Sequence, residues 1–423
     1  MEEPIEYRNL VKNNYRPRLV DVRIKNMLSA MGGVLITGPK WCGKSWTGIY
    51  HTASSVMLAD ASVNKSVKLL PEKALDGEYP RLIDEWQDIP DLWDLARRRI
   101  DFGDKGMYVF TGSSPNPGMN VHHTGTGRFA RIEMKTMSSF ESGESNGSVS
   151  LLKLFSLDRI DPKSSDADYK NIINLMCRGG WPGVLDLAND IALKVPYEYV
   201  KSLISVDFSA STGTRKNSTT TKRLLGSLAR NGASETRIST ITKDISEQGR
   251  PISEQTVRSY MDSLKEICVI EEQPAWDPSL RSRSRLRTSS KIHFTDPSLA
   301  AAVLKATPRI LEEDVKTAGL LFESFCYRDI SVYSHVSGAE VYHYRDNAGL
   351  EVDNVVEMPD GRWGAIEVKL GDFEIDKAAK NLHRLNGKTE QKASFLAVLT
   401  ATGSVAYTRD DGVSVIPIDL LGP

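Results

Sequence analysis

Gly38-Pro39-Lys40-Trp41-Cys42-Gly43-Lys44-Ser45 has the spacing of a phosphate-binding loop, and it lies between Gly33-Val-Leu-Ile-Thr37 and Trp46-Thr-Gly-Ile-Tyr50. The first flank is apolar throughout and reads as a buried strand, while the second can open a helix, so strand, loop and helix come in the required order. Glycines let backbone amides curl around a triphosphate, and a helix N-terminus adds positive potential. Lys44 is expected to reach the outer phosphates and the Ser45 hydroxyl to hold Mg²⁺. The whole stretch from Gly38 to Trp46 is the expected nucleotide contact.

Pro80-Arg-Leu-Ile-Asp84-Glu85 is a short apolar strand ending in two carboxylates. In a nucleotide-hydrolysing sheet this places Asp84 on the Mg²⁺ and Glu85 beside the attacking water. A further apolar run, Met107-Tyr-Val-Phe-Thr111-Gly-Ser113-Ser114, finishes in small hydroxyl residues, so Ser113 or Ser114 is expected to sense the γ-phosphate. Gly125-Thr-Gly127-Arg128-Phe-Ala-Arg131 offers two cations for the phosphate of the same or a neighbouring subunit, with Arg128 the expected catalytic one. An ordinary surface salt bridge is the competing reading for either arginine.

Taken in order, the loop, Leu-Ile-Asp84-Glu85, Phe-Thr-Gly-Ser-Ser and Gly127-Arg128 resemble the AAA+ ATPases, in particular prokaryotic ATP-binding proteins that carry a C-terminal domain of uncharacterised function. The resemblance covers nearly the whole chain and implies ATP and Mg²⁺ as cofactors, ATP hydrolysis, and a site completed across a subunit boundary in a homo-oligomer. Lys40-Trp41-Cys42 departs from the usual family wording, at positions that carry none of the phosphate chemistry.

At 423 residues the chain is expected to hold two to four domains. Charged residues make up 26% and hydrophobic ones 40%, and the net charge of -1 excludes a uniformly basic nucleic-acid coat, so any DNA site must be a local patch. Cys42, Cys177, Cys268 and Cys326 lie far apart without metal-ligand spacing, which points to free thiols in a cytoplasmic protein. Neither an export signal nor a membrane span is expected.

The expected fold is α/β in three parts: a parallel-sheet ATPase domain over residues 1–160, a helical domain with a winged helix-turn-helix over 161–290, and a nuclease-like α/β domain over 291–423. The helical pattern includes Arg178-Gly-Gly-Trp-Pro182, which resembles an element of the same family. Ser253 caps a helix that puts Val257, Tyr260, Met261 and Leu264 on one face, and Ile267-Cys-Val-Ile-Glu-Glu follows as a wing strand. Such a module either binds DNA or packs against protein, and both readings stay open. Arg281, Arg283, Arg285 and Arg287 would share one side of an extended chain, as a phosphate-binding edge or as a solvated linker.

Near the end, Gly349-Leu-Glu351-Val-Asp353-Asn-Val-Val-Glu357 and Gly364-Ala-Ile-Glu367-Val-Lys369 flank a Pro359-Asp-Gly361 turn, which predicts a hairpin with acids on one face. Asp353, Glu367 and Lys369 then converge: the acids to hold Mg²⁺, the lysine to position a nucleophile for phosphodiester cleavage. With Glu323 upstream, the pattern resembles the PD-(D/E)xK nucleases, whose fold is a mixed sheet flanked by helices. Two functions are therefore expected as rivals: an ATPase coupled to nucleic-acid binding or processing, and an ATP-switched scaffold whose nuclease-like domain cuts nothing.

Overall fold

Five short strands, β1 (Gly33–Thr37), β2 (Ser54–Met57), β3 (Arg81–Asp84), β4 (Tyr108–Gly112) and β5 (Phe129–Glu133), pair in the order β2-β3-β4-β1-β5, all parallel. Alternate residues of β1 enter different cores. Leu35 packs with Val56, Ile83, Trp93 and Phe110, whereas Val34 and Ile36 pack with Ile24, Ile49 and Val109. A parallel sheet covered on both faces explains the unbroken apolar runs in the sequence. The helices Val20–Ala30 and Lys44–Tyr50 supply one cover; Ala61–Leu69 and Asp91–Phe102 supply the other.

The computed structural model describes residues 5–113, 124–156, 159–207, 217–247, 249, 251–277 and 289–423. They form two compact units, Met1–Thr136 with Glu266–Cys268, and Met137–Lys265 with Val269–Pro423. The first unit thus ends at Thr136, not near residue 160. The Gly/Ser-rich stretch after Ser142 has the composition of a linker, but its polar groups have partners at the C-terminus. Ser145 Oγ donates to Leu421 O at 2.6 Å, Asn146 N donates to Asp419 O at 2.9 Å, and β6 (Val149–Ser150) pairs with the last strand, Leu421–Gly422.

The second unit contains β7 (Lys163–Ala167), then the helix Tyr169–Arg178, and later the helices Ser218–Arg230, Ile238–Glu247 and Glu254–Glu266. Ser253 Oγ accepts from Thr256 N at 3.2 Å, and Val257, Tyr260, Met261 and Leu264 are buried as their spacing predicts. The strand expected after Ile267 is β8 (Ile270–Gln273), and its antiparallel partner is β9 (Lys291–Phe294). The Arg281 to Arg287 edge lies outside the described residues.

A mixed sheet follows: β10 (Glu340–Arg345), β11 (Glu351–Glu357), β12 (Trp363–Lys369), β13 (Phe395–Thr400), β14 (Gly403–Thr408) and β15 (Ser414–Pro417) take the order β10-β11-β12-β13-β15-β14-β7. Residues 163–167, within the segment expected to be helical, form β7 at the edge of this sheet. The hairpin is present, with Asn354 opposite Ile366 and Val355 opposite Ala365. Along β12, Trp363 and Ala365 enter the core beneath the helix Ile375–Lys388, and the two-residue period carries the same face on to Glu367 and Lys369.

Candidate functional site

Gly38 leaves β1 at φ +153°, and a Cβ there would lie 2.1 Å from Met134 O, so only glycine lets the loop turn at this point. Gly43, also left-handed, precedes the helix beginning at Lys44, whose first-turn amides have no intrahelical partner. Trp41 lies between them at φ 69° with its ring half-exposed. The Lys44 ammonium is buried and donates to the loop's own carbonyls, Gly38 O at 3.0 Å and Pro39 O at 2.8 Å. The guanidinium of Arg18 donates to Cys42 O at 3.0 Å and to Lys135 O at 2.8 Å, clamping the loop to the segment after β5. Nothing in the local sequence pattern around Arg18 marks it as the clamp.

The order β3-β4-β1 puts one strand between the loop and the acids, and the side chains bridge the gap. Ser45 Oγ donates to Asp84 Oδ1 at 2.8 Å, and Thr111 Oγ1, opposite Asp84 on β4, donates to the same oxygen at 2.5 Å. Burial pushes the Asp84 carboxyl up to about 6; the Thr111 and Ser45 hydrogen bonds and the Lys44 charge oppose this, while the Glu85 charge adds to it. Glu85 follows in the left-handed region at φ 53°, which ends the strand. Its Oε2 accepts from Gln87 Nε2. A hydroxyl beside a carboxylate is an all-oxygen donor set, and Ser45 with Asp84 fits Mg²⁺.

Thr111, which the sequence did not single out, is thus the β4 hydroxyl that meets Asp84. Ser113 is buried and its carbonyl accepts from Cys268 Sγ at 3.7 Å, while Ser114 lies outside the described residues. Arg128 stands at the other end of the sheet: its carbonyl accepts from Gly33 N, at the start of β1, and its Nε pairs with Asp101 at 2.8 Å. The strands carry the loop about 13 Å further on. Arg131 Nη2 donates to Thr124 O at 3.4 Å. A role for Arg128 at the phosphate of its own chain is thus corrected by the parallel topology.

In the second unit the structure brings Glu323, Asp353, Glu367 and Lys369 together as expected, and adds Glu351 and Lys291. Lys369 Nζ is 2.6 Å from Glu367 Oε2 and 3.5 Å from Asp353 Oδ2. Lys291 Nζ is 2.6 Å from Glu323 Oε1, 3.0 Å from Glu351 Oε1 and 3.7 Å from Asp353 Oδ1. Val368 N donates to Asp353 Oδ2 at 2.8 Å, and Asn381 Nδ2 to Glu367 Oε1 at 3.2 Å. Burial and the Asp353 charge push Glu323 up to about 8 and Glu367 up to about 7. Burial also acts to raise Asp353, but Lys369, Lys291 and the Val368 amide outweigh it and hold this carboxyl below its ordinary range. Among the described residues no group of three His, Cys, Asp or Glu is placed to hold a metal ion. The oxygens of Asp353 and Glu367, where Mg²⁺ was expected, instead meet the Lys291 and Lys369 ammonium groups, the Val368 amide and Asn381.

Comparison with protein families places a domain on each part. Residues 32–142 match the family model described as an AAA domain. This match lies mostly within the first unit. Residues 169–310 and 318–421 match two domains of unknown function, DUF8612 and DUF4143. Among solved structures, a Walker-type ATPase of Pyrococcus abyssi is similar at 15% identity and TM-score 0.46, over 69% of this chain and 97% of that one. The replication initiator DnaA bound to AMPPCP and single-stranded DNA is similar at 12% identity and TM-score 0.27, over 59% of this chain and 86% of that one. Cdc6p from Pyrobaculum aerophilum is similar at 12% identity and TM-score 0.24, over 72% of this chain and 98% of that one. No curated protein matches the chain. Among the described residues no helix is long and apolar enough to cross a membrane, and Cys42, Cys177, Cys268 and Cys326 are all buried.

Proposed function

We propose that this chain binds ATP with Mg²⁺ and hydrolyses it at Lys44, Ser45, Asp84 and Glu85. The observation that carries the reading is the 2.8 Å bond from Ser45 to Asp84, which joins the loop to the acidic strand end across the sheet. Lys44 is the group that leaves its loop carbonyls for the outer phosphates. Ser45 and Asp84 hold the Mg²⁺, which when bound neutralises charge on the phosphate oxygens. Glu85, turned out of its strand, orients the attacking water and takes its proton. Residues 38–46 supply the remaining nucleotide contacts, and Arg18 acts as a positioning residue through Cys42 O. Arg128, at the far end of the sheet, serves a neighbouring copy in a homo-oligomer.

Lys44→Ala should abolish binding of an ATP analogue to the purified chain. Hydrolysis that survives Lys44→Ala unchanged would reject this assignment.

The three helices ahead of the β8-β9 pair support a winged-helix reading of the middle segment, and the order helix Val315–Ser337, β10, β11, β12, helix Ile375–Lys388, β13 supports a nuclease-like fold at the end. On this reading a cytoplasmic ATPase couples nucleotide turnover to DNA binding, with the Arg281 to Arg287 edge contacting phosphates. DNA affinity should then fall linearly with salt on logarithmic axes. Absence of DNA affinity at low salt would favour the rival, an ATP-switched scaffold that binds a protein partner.

A further inference from the structure

The acid cluster of the second unit is built around a cation the chain supplies itself. Lys291 reaches three carboxylates from two different elements, Glu323 on the helix Val315–Ser337 and Glu351 and Asp353 on β11, and is only 1% exposed. A hard divalent cation would need these same oxygens, gathered to between about 2.0 and 2.6 Å. We propose that the Lys291 ammonium is the resident cation of this cluster, holding the place a divalent ion would take, and that a metal site lies latent beneath it.

Two features make this more than a lysine lying against acids. First, its backbone is fixed: Lys291 is opposite Gln273 in the β8-β9 pair, and the side chain two residues on, His293, is pinned on both ring nitrogens, by Ser324 Oγ and Gln273 Oε1 at 3.0 Å each. The His293 ring also stacks on Tyr327, with centroids 4.3 Å apart, so β9 is tied along its length to the helix that carries Glu323. Second, Lys369 covers the other side through Glu367 and Asp353, so neither of these acids faces an open position. The cation position among these acids is thus taken by a side chain from β9.

The test uses the full chain without nucleotide and Mn²⁺ as the probe, with free ion followed by its EPR signal. Its outcome does not depend on ATP hydrolysis. The wild-type chain and Asp353→Asn should bind Mn²⁺ indistinguishably. Lys291→Met should gain one bound equivalent, lost again in Lys291→Met with Asp353→Asn, whereas Lys291→Arg should behave as wild type. Mn²⁺ bound by the wild-type chain and lost in Asp353→Asn would overturn the proposal, as would a folded Lys291→Met chain that gains nothing. Should Lys291→Met fail to fold, Lys291→Met with Glu351→Gln carries the same expectation, since it removes one of the acids left unpaired. The wild-type against Asp353→Asn comparison decides in either case.

Discussion

The two clusters of this chain contain the same residue types, carboxylates beside a lysine, and they differ in where the lysine sits. In the first unit Lys44 donates to backbone carbonyls, and Asp84 is left with two neutral hydroxyls. In the second, both ammonium groups rest on the acids themselves. A carboxylate held by hydroxyls keeps oxygen lone pairs for a cation; one held by ammonium groups has already been neutralised. On the proposed reading, the contrast separates a nucleotide site in one place from a closed polar core in the other.

The largest effect that would break this contrast lies at Glu85. Glu85→Gln should keep ATP-analogue binding and slow hydrolysis by about 10²–10⁴-fold, as measured by phosphate release. Equal hydrolysis by both chains would leave the first site without its base. Lys291→Met should next lower stability by about 3 kcal/mol, because it strands buried carboxylates, read as an earlier midpoint of urea unfolding. An unchanged midpoint would show that the ammonium adds nothing to the cluster. The smallest effect is in pH. Glu323 and Glu367, raised from 4.5 to about 8 and about 7, retain protons in the folded chain that the unfolded chain has lost. Their contribution to stability is therefore complete below pH 4.5 and is lost as pH rises toward 8. The melting temperature should decline between pH 5.5 and 8.5 by a margin that Glu323→Gln reduces; equal slopes in the two chains would place these protons elsewhere.

How much of this was legible depended on sequence distance. The loop could be read because Gly38 to Ser45 are contiguous and the flanking strand and helix state their own periodicities. The hairpin could be read because Asp353, Glu367 and Lys369 obey the two-residue alternation across a short turn. Thr111 was not singled out as a partner of Asp84 because a strand ending does not reveal which hydroxyl faces the neighbouring strand; the register opposite Asp84 does. The boundary near residue 160 failed because Ser145 and Asn146 find their partners at Leu421 and Asp419, and composition carries no trace of such a pairing.

The amino-acid order alone therefore determined the parallel sheet, the phosphate loop and the acidic hairpin, since each is dictated by local periodicity and backbone geometry. Only the tertiary structure decided that Arg18 clamps the loop, that Arg128 faces away from it, and that Lys291 closes the acid cluster. The physical reason is that a charge acts through space: its partner is whichever group the fold brings within a few ångströms, however far away along the chain.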